Sequence, residues 1–390
     1  MNLIQTSAAW LLAGLVALPS GAARAEDSRT AVETRYRQAH ALVGDEGRNP
    51  FDAKLAKGPD GNFYGTTQSG GAQGGGTVFR MTPQGETQVL HAFGPLEVGE
   101  AVLPTGVTWG PDGHFYGVTM GGGSDNFGSF YRMTLDGEVT VLYSFKLDQD
   151  VPNIWPAHGL MLSGDGHFYG VTGNTVYGVT PAGEATVLHS FFEKKQGRTP
   201  NGGLIEDDAG NLYGTTSSGG MFNRGTVYQL TKSGALTVLH SFAGHRADGA
   251  FPRGGLVLVD NMLYGVTGQG GQHRQGVVFR LSTTGDSYQL LHSFKSAKGA
   301  PYWPSAGFTQ AQDGWLYGVS ERGGIVDGGT VYRINAAGQL RLLHSFGEKK
   351  NDGLRPMSSL LLTGQRTFHG TTDAGGVEGQ GTVFKLTITD

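Results

Sequence analysis

Cysteine is absent from all 390 residues, which excludes a disulfide framework, a thiolate metal site and a lipid-attachment cysteine. Stability has to come from packing alone. Charge is sparse as well: Asp, Glu, Lys and Arg make up 16%, and 29 basic residues stand against 33 acidic ones for a formal net charge of −4. A chain without a basic stripe is not built for nucleic acid. No Gly-x-Ser-x-Gly and no His-Glu-x-x-His occurs, and no Gly-rich stretch ends in Lys-Ser or Lys-Thr ahead of a helix pattern. The common hydrolase, zinc-protease and phosphate-loop signals are therefore absent. No metal-ligand set or cofactor is expected, and no catalytic motif marks its own residues.

What the chain does have is repetition. Leu-His-Ser-Phe stands at 188–191, 239–242, 291–294 and 343–346, with looser copies at 90–93 and 142–145 and a seventh around Ala39 to Leu42. In step with it runs an aromatic-Gly marker: Tyr64-Gly65, Tyr116-Gly117, Tyr169-Gly170, Tyr213-Gly214, Tyr264-Gly265, Tyr317-Gly318 and His369-Gly370. A period of about 50 residues signals a repeat architecture. Within each unit, short apolar runs are broken by Asp-Gly and Gly-Gly punctuation, which reads as four strands and no helix. The 67 glycines fall at turns of this pattern and not in low-complexity tracts.

The last unit stops after Thr382 to Leu386 with its fourth strand missing, while the orphan copy near Ala39 precedes the first complete unit. A ring lets the orphan strand complete the last sheet and cover its edge. The expectation is an all-β, seven-bladed β-propeller of four-stranded blades over 36–390, closed by pairing of 36–43 with 382–387.

The pattern Leu-Tyr-Gly-Thr-Thr-x-x-Gly-Gly, a spacer, Gly-Thr-Val-Phe-x-Leu-Thr and then Val-Leu-His-Ser-Phe resembles the bacterial GloVer tandem repeat, with close copies at 212–242 and 63–93. That resemblance implies an exported repeat protein and hands over no catalytic motif. The third copy departs from it by lacking the Gly-Gly loop at Gly173 to Thr175, and the seventh by His369 in place of Tyr. Residues 1–25 fit an exported chain. Ala8 to Pro19 is a short apolar core, and Ala23-Arg24-Ala25 fits a cleavage site, although no Lys or Arg precedes the core. Residues 26–35 read as a mobile arm. A monomer in the periplasm or outside the cell, without a membrane anchor, is expected.

Periodic residues are read as structural: the Leu-His-Ser-Phe histidines as packing or inter-blade hydrogen-bonding groups, the tyrosines as core, and the Asp-Gly pairs at Asp60, Asp112, Asp165 and Asp313 as turns. Asp148, Asp150 and Asn153 form an acidic loop, read as solvated and not as a calcium site. In an antiparallel blade the long 2–3 loop and the blade-to-blade connection share one face, and loops of that kind carry function. Each connection reaches a proline: Pro50, Pro104, Pro156, Pro200, Pro252, Pro304 and Pro356. Those prolines are expected just before the innermost strands, each holding its preceding residue extended at the mouth of the central channel. The non-periodic residues around them, Trp155, Phe251, Trp303, Arg253, Arg355, His158 and Asp52, form the candidate binding set. Flat rings cover sugar faces and Arg forks pair with uronate carboxylates. A glycan or envelope component is the expected ligand. The alternatives are a polysaccharide lyase, with Arg253 or Arg355 neutralising a uronate and His158 as base, and a scaffold for a protein partner on the same face. A local plug of the channel mouth is the bland reading of the same aromatics.

Overall fold

The computed structural model describes residues 33–51, 54–95, 101–147 and 155–389. The apolar segment and cleavage motif at the N-terminus, together with Asp52, Asp148, Asp150 and Asn153, lie outside the described residues. Antiparallel four-strand sheets follow one another along the chain, giving seven blades. The fourth is representative: Arg198–Glu206 pairs with Leu212–Ser218, then Thr226–Leu230, then Leu236–Ser241. In the sixth blade the innermost strand is split into Pro301–Pro304 and Thr309–Gln310. Apolar clusters bridge consecutive blades, as where Tyr64, Val78 and Phe93 of the first meet Phe115, Tyr131 and Met133 of the second. Leu55, Phe63 and Phe79 of the first blade meet Val383 of the seventh, and the ring closes there.

The repeated motifs are accounted for by local chemistry. The Tyr of Tyr-Gly reaches back to the hairpin turn, where its hydroxyl donates to the Asp carboxylate: Tyr64 to Asp60 at 2.9 Å, Tyr116 to Asp112 and Tyr169 to Asp165 at 2.8 Å, Tyr213 to Asp207 at 2.9 Å and Tyr317 to Asp313 at 2.6 Å. A buried phenol needs such a partner, so the Asp-Gly dipeptide serves as turn and anchor together. The Phe of Leu-His-Ser-Phe is buried and meets a ring of the following blade, with centroids 5.1–5.6 Å apart in the pairs Phe93–Tyr131, Phe145–Tyr177, Phe191–Tyr228, Phe242–Phe279, Phe294–Tyr332 and Phe346–Phe384. Near the long-loop face, hydroxyl pairs such as Thr67–Thr77 and Thr216–Thr226 link the second and third strands at 2.8–2.9 Å.

Pro104, Pro200 and Pro252 sit inside the innermost strands and not before them, facing Thr119, Thr216 and Thr267 in the ladders, whereas Pro156 stands just before Ala157–Leu162 as expected. An innermost strand borders the channel and has one neighbour, so a missing N–H on its open side costs no ladder bond. Closure follows the expected pairing. Thr34–Ala41 runs antiparallel to Thr382–Ile388 in register from Thr34↔Ile388 to Ala41↔Thr382, with one irregularity between Gln38 and His40.

The periodic histidines are packed, and His40, His189 and His240 are hydrogen-bonded as well. His240 stacks on Tyr288 of the next blade at 4.1 Å and bonds Asp248, and His40 bonds Glu46. His369, standing where other blades carry Tyr, is buried against Phe63 with Nδ1 3.0 Å from the Thr363 hydroxyl. Burial, with Lys385 nearby, pushes its imidazole down to about 4. The unfolded chain takes up that proton below about pH 6.5 while the folded chain resists it, so the contribution is complete above pH 6.5 and is lost as pH falls towards 4, a loss of about 3 kcal/mol. His369→Phe is therefore expected to shrink the drop in urea-unfolding free energy between pH 7 and pH 4.5. An equal drop in both proteins contradicts it.

Candidate functional site at the channel mouth

The innermost strand interrupts its ladder just after the proline, with register shifts between Pro104 and Val107, Ala157 and Met161, Asn201 and Ile205, and Arg253 and Val257. At Gly202 the strands crowd the axis closely. A Cβ on Gly202, whose φ is +77°, would lie 2.2 Å from the Gly254 carbonyl oxygen. Each strand then presents the residue after its proline to the mouth. There a cavity of about 410 Å³ is lined by Phe51, Thr105, Ala157, Asn201, Arg253, Ser305 and Met357, one from every blade, joined by Gln68, Met120, His158, Gly254 and Glu321.

Polar side chains in this ring are held in place. Asn201 Nδ2 donates to the Pro252 carbonyl at 3.0 Å, which aims Oδ1 at His158 Nε2, 3.1 Å away, so Nε2 carries the proton. Thr105 donates to the His158 carbonyl at 2.9 Å, and Ser305 to the Pro356 carbonyl at 2.9 Å. His158 itself has φ +63°, at a position where Gly202 and Gly254 stand in the next two blades. Such a conformation costs a side-chain-bearing residue about 1–2 kcal/mol. Across the mouth, Arg253 Nη1 lies 3.2 Å from Glu321 Oε2, and Arg355 pairs with Asp373. Asp373 is pushed up by burial, partly offset by Arg355, with Glu321 adding repulsion.

Of the sequence-derived set, His158 and Arg253 line the cavity; Trp155, Phe251, Trp303 and Arg355 stand on the rim, and Asp52 is outside the described residues. The residue before each proline is not extended. Asn49, Leu103, Trp155, Thr199, Phe251, Trp303 and Arg355 all have φ between 52° and 59°. The general preference is overridden because the left-handed turn points the residue's N–H at a loop carbonyl of the preceding blade: Trp155 to Phe127 at 2.9 Å, Phe251 to Arg224 and Arg355 to Gly328 at 2.8 Å. The rings follow that turn, with Trp155 edge-on to Phe127 at 6.0 Å and Phe251 under the Arg224 guanidinium at 5.8 Å. Trp155 remains 52% exposed and Trp303 38%, so neither is a buried plug. The third blade closes its 2–3 connection tightly, Thr172 N to the Thr175 carbonyl at 2.9 Å.

Gln68, Met120, Glu321 and Asp373 were not in the sequence-derived set. They follow the hydroxyl residue that ends Tyr-Gly-x-Thr/Ser, and this position varies from blade to blade: Gln68, Met120, Gly173, Ser217, Gly268, Glu321 and Asp373. Variation at one register position inside a constant segment was the available signal. Among the described residues no cluster of three or more His, Asp or Glu is placed to hold a metal ion, and no helix is long and apolar enough to cross a membrane.

Fold and mouth together define a seven-bladed propeller with one asymmetric, pocket-bearing face. The Gloeobacter/Verrucomicrobia repeat model matches residues 28–174 and 158–323, so the chain belongs to that repeat family. Comparison with curated proteins gives no match. Among solved structures, the chain is similar to an extracellular domain assigned to a hybrid two component system of Bacteroides thetaiotaomicron, at 12% identity and TM-score 0.59, with 91% of this chain aligned to 42% of that one. A protein of unknown function from the same organism aligns at 12% identity and TM-score 0.50, covering 92% of this chain and 77% of that one. The likeness is one of fold, and the chain spans under half the length of the extracellular-domain structure.

Proposed function

We propose that this propeller is an exported binding protein whose mouth takes a saccharide unit of a cell-envelope or extracellular glycan. The observation that carries this reading is the cavity itself, lined from all seven blades by residues that differ from blade to blade while the surrounding framework repeats. Its chemistry suits a hydroxyl-rich ring: Met120, Met357 and Phe51 offer apolar surface, and Asn201, Arg253 and Glu321 offer fixed donors and acceptors. The exposed Trp155 and Trp303 on the rim suit continuation of a polymer beyond one unit. The extracellular assignment of the neighbouring fold and the family resemblance support export.

The ion pairs bear on which sugars fit. Both arginines already face carboxylates, Arg253 with Glu321 and Arg355 with Asp373. Each arginine's charge is already matched by a carboxylate, and this supports binding without turnover as the better reading. Arg–carboxylate pairs instead match the paired donors and acceptors of neutral vicinal hydroxyls. On a glycan array, neutral polysaccharides are expected to bind and polyuronates to bind weakly, with no unsaturated product released from either. Selective binding of polyuronates, or their cleavage, overturns this reading.

A further inference from the structure

Below the mouth the channel continues as a second cavity of about 450 Å³, walled by the innermost strands and sharing Thr105, His158 and Gly254 with the first. Its wall repeats around the ring. One residue before the apolar side chain that each innermost strand buries stand Gly106, Gly159, Gly203, Gly255, Gly307 and Ser359, all lining the channel. In the first blade that position is Lys54, ahead of buried Leu55, and the sequence leading to it is longer: Leu55 lies five positions after Pro50, against four for Leu204 after Pro200 or Leu256 after Pro252. One blade therefore sends a long cationic side chain into a channel that the other six keep nearly bare.

Among the described residues no Asp or Glu lines this channel; its only other charged group is Lys57, further along the same strand. The side chain is open to the channel and walled by protein around it, and burial pushes the Lys54 amine below its ordinary value. An ammonium with no acidic side chain among the described residues of its wall is costly in such surroundings. Nothing in the propeller fold calls for it, since six blades form the same strand with Gly or Ser there.

We propose that Lys54 makes the central channel a binding site for a small oxyanion, a carboxylate or a phosphate, admitted through the mouth. The anion supplies the charge that the wall lacks, and a compact ammonium serves it as a point charge. This site is chemically separate from the saccharide-binding mouth, where the charges are already paired.

Calorimetric titration with inorganic phosphate and with acetate at pH 7 and constant ionic strength tests it. The protein is expected to bind at least one of them; Lys54→Met should weaken that binding at least tenfold with an unchanged or higher melting temperature, Lys54→Arg should retain it, and Lys298→Met on an exposed loop should leave it unchanged. Absence of binding to both anions, or equal binding by Lys54→Met, overturns the proposal. A mouth that binds no saccharide leaves the titration result standing, so the two readings fail separately.

Discussion

Removal of residues 26–41 is expected to abolish cooperative unfolding and to drive the remaining chain into oligomers. Those residues include the outermost strand of the seventh blade, whose loss leaves Thr382–Ile388, Thr-Val-Phe-Lys-Leu-Thr-Ile, as an open edge. Exposed strand edges with apolar, β-branched composition pair with other copies. The strand also carries Tyr36, which stacks on His344 at 3.7 Å, approaches Phe346 and Phe384 at 5.7 and 6.0 Å, and donates its hydroxyl to Asp352 at 2.7 Å. Truncating that side chain alone should cost about 3 kcal/mol. Deleting the whole strand takes a large part of the roughly 5–15 kcal/mol that holds a typical protein folded. Urea unfolding and size-exclusion chromatography read the outcome, and a monodisperse truncation with the parent's unfolding midpoint contradicts it.

Gly225→Ala is expected to destabilise the protein by about 3 kcal/mol. Gly225 opens the third strand of the fourth blade with φ +92°, and an added Cβ would lie 2.2 Å from the Thr216 carbonyl oxygen and 2.6 Å from Pro252 Cδ of the next blade. Backbone strain of about 1–2 kcal/mol therefore adds to overpacking of about 1–3 kcal/mol. Neither contact yields easily, since one atom is backbone and the other belongs to a locked ring. The same clasp recurs, with Gly76 against Pro104, Gly128 against Pro156 and Gly381 against Pro50. Gly203 provides the control, because a Cβ there meets nothing within 4 Å. Equal urea midpoints for Gly225→Ala and Gly203→Ala contradict this account of the clasp.

The fold was legible because its determinants are local and repeated: a turn Asp four or six residues before a Tyr, a buried Phe after the fourth strand in the first six blades, and an orphan strand matched to a truncated unit. The conformation before the prolines was not legible. It is set by hydrogen bonds to the preceding blade's loop, as from Phe251 to Arg224, and such partners lie about half a repeat away in sequence. The candidate site was half legible for a related reason. His158 and Arg253 stand beside the proline landmarks, whereas Glu321 and Asp373 meet the arginines only because the second strand ends at the same mouth. Lys54 was hidden differently, because the spacing from proline to buried apolar residue is five positions in the first blade, three in the second and four in the rest.

The central claim is that the variable residues at the mouth serve a ligand while the repeating residues serve the ring. Paired measurement of melting temperature and of affinity for the best array glycan, on Trp155→Ala and Arg253→Ala, tests it most directly. Both side chains are about half open to solvent, Trp155 at 52% and the Arg253 side chain at 41%, so only modest stability should depend on them. Aromatic and Arg residues in such positions typically contribute about 1–3 kcal/mol to binding. The expected result is an affinity at least fivefold weaker in each variant with melting temperatures within a few degrees of the parent. Lowered melting temperatures with undiminished affinity would contradict it and make these residues part of the framework.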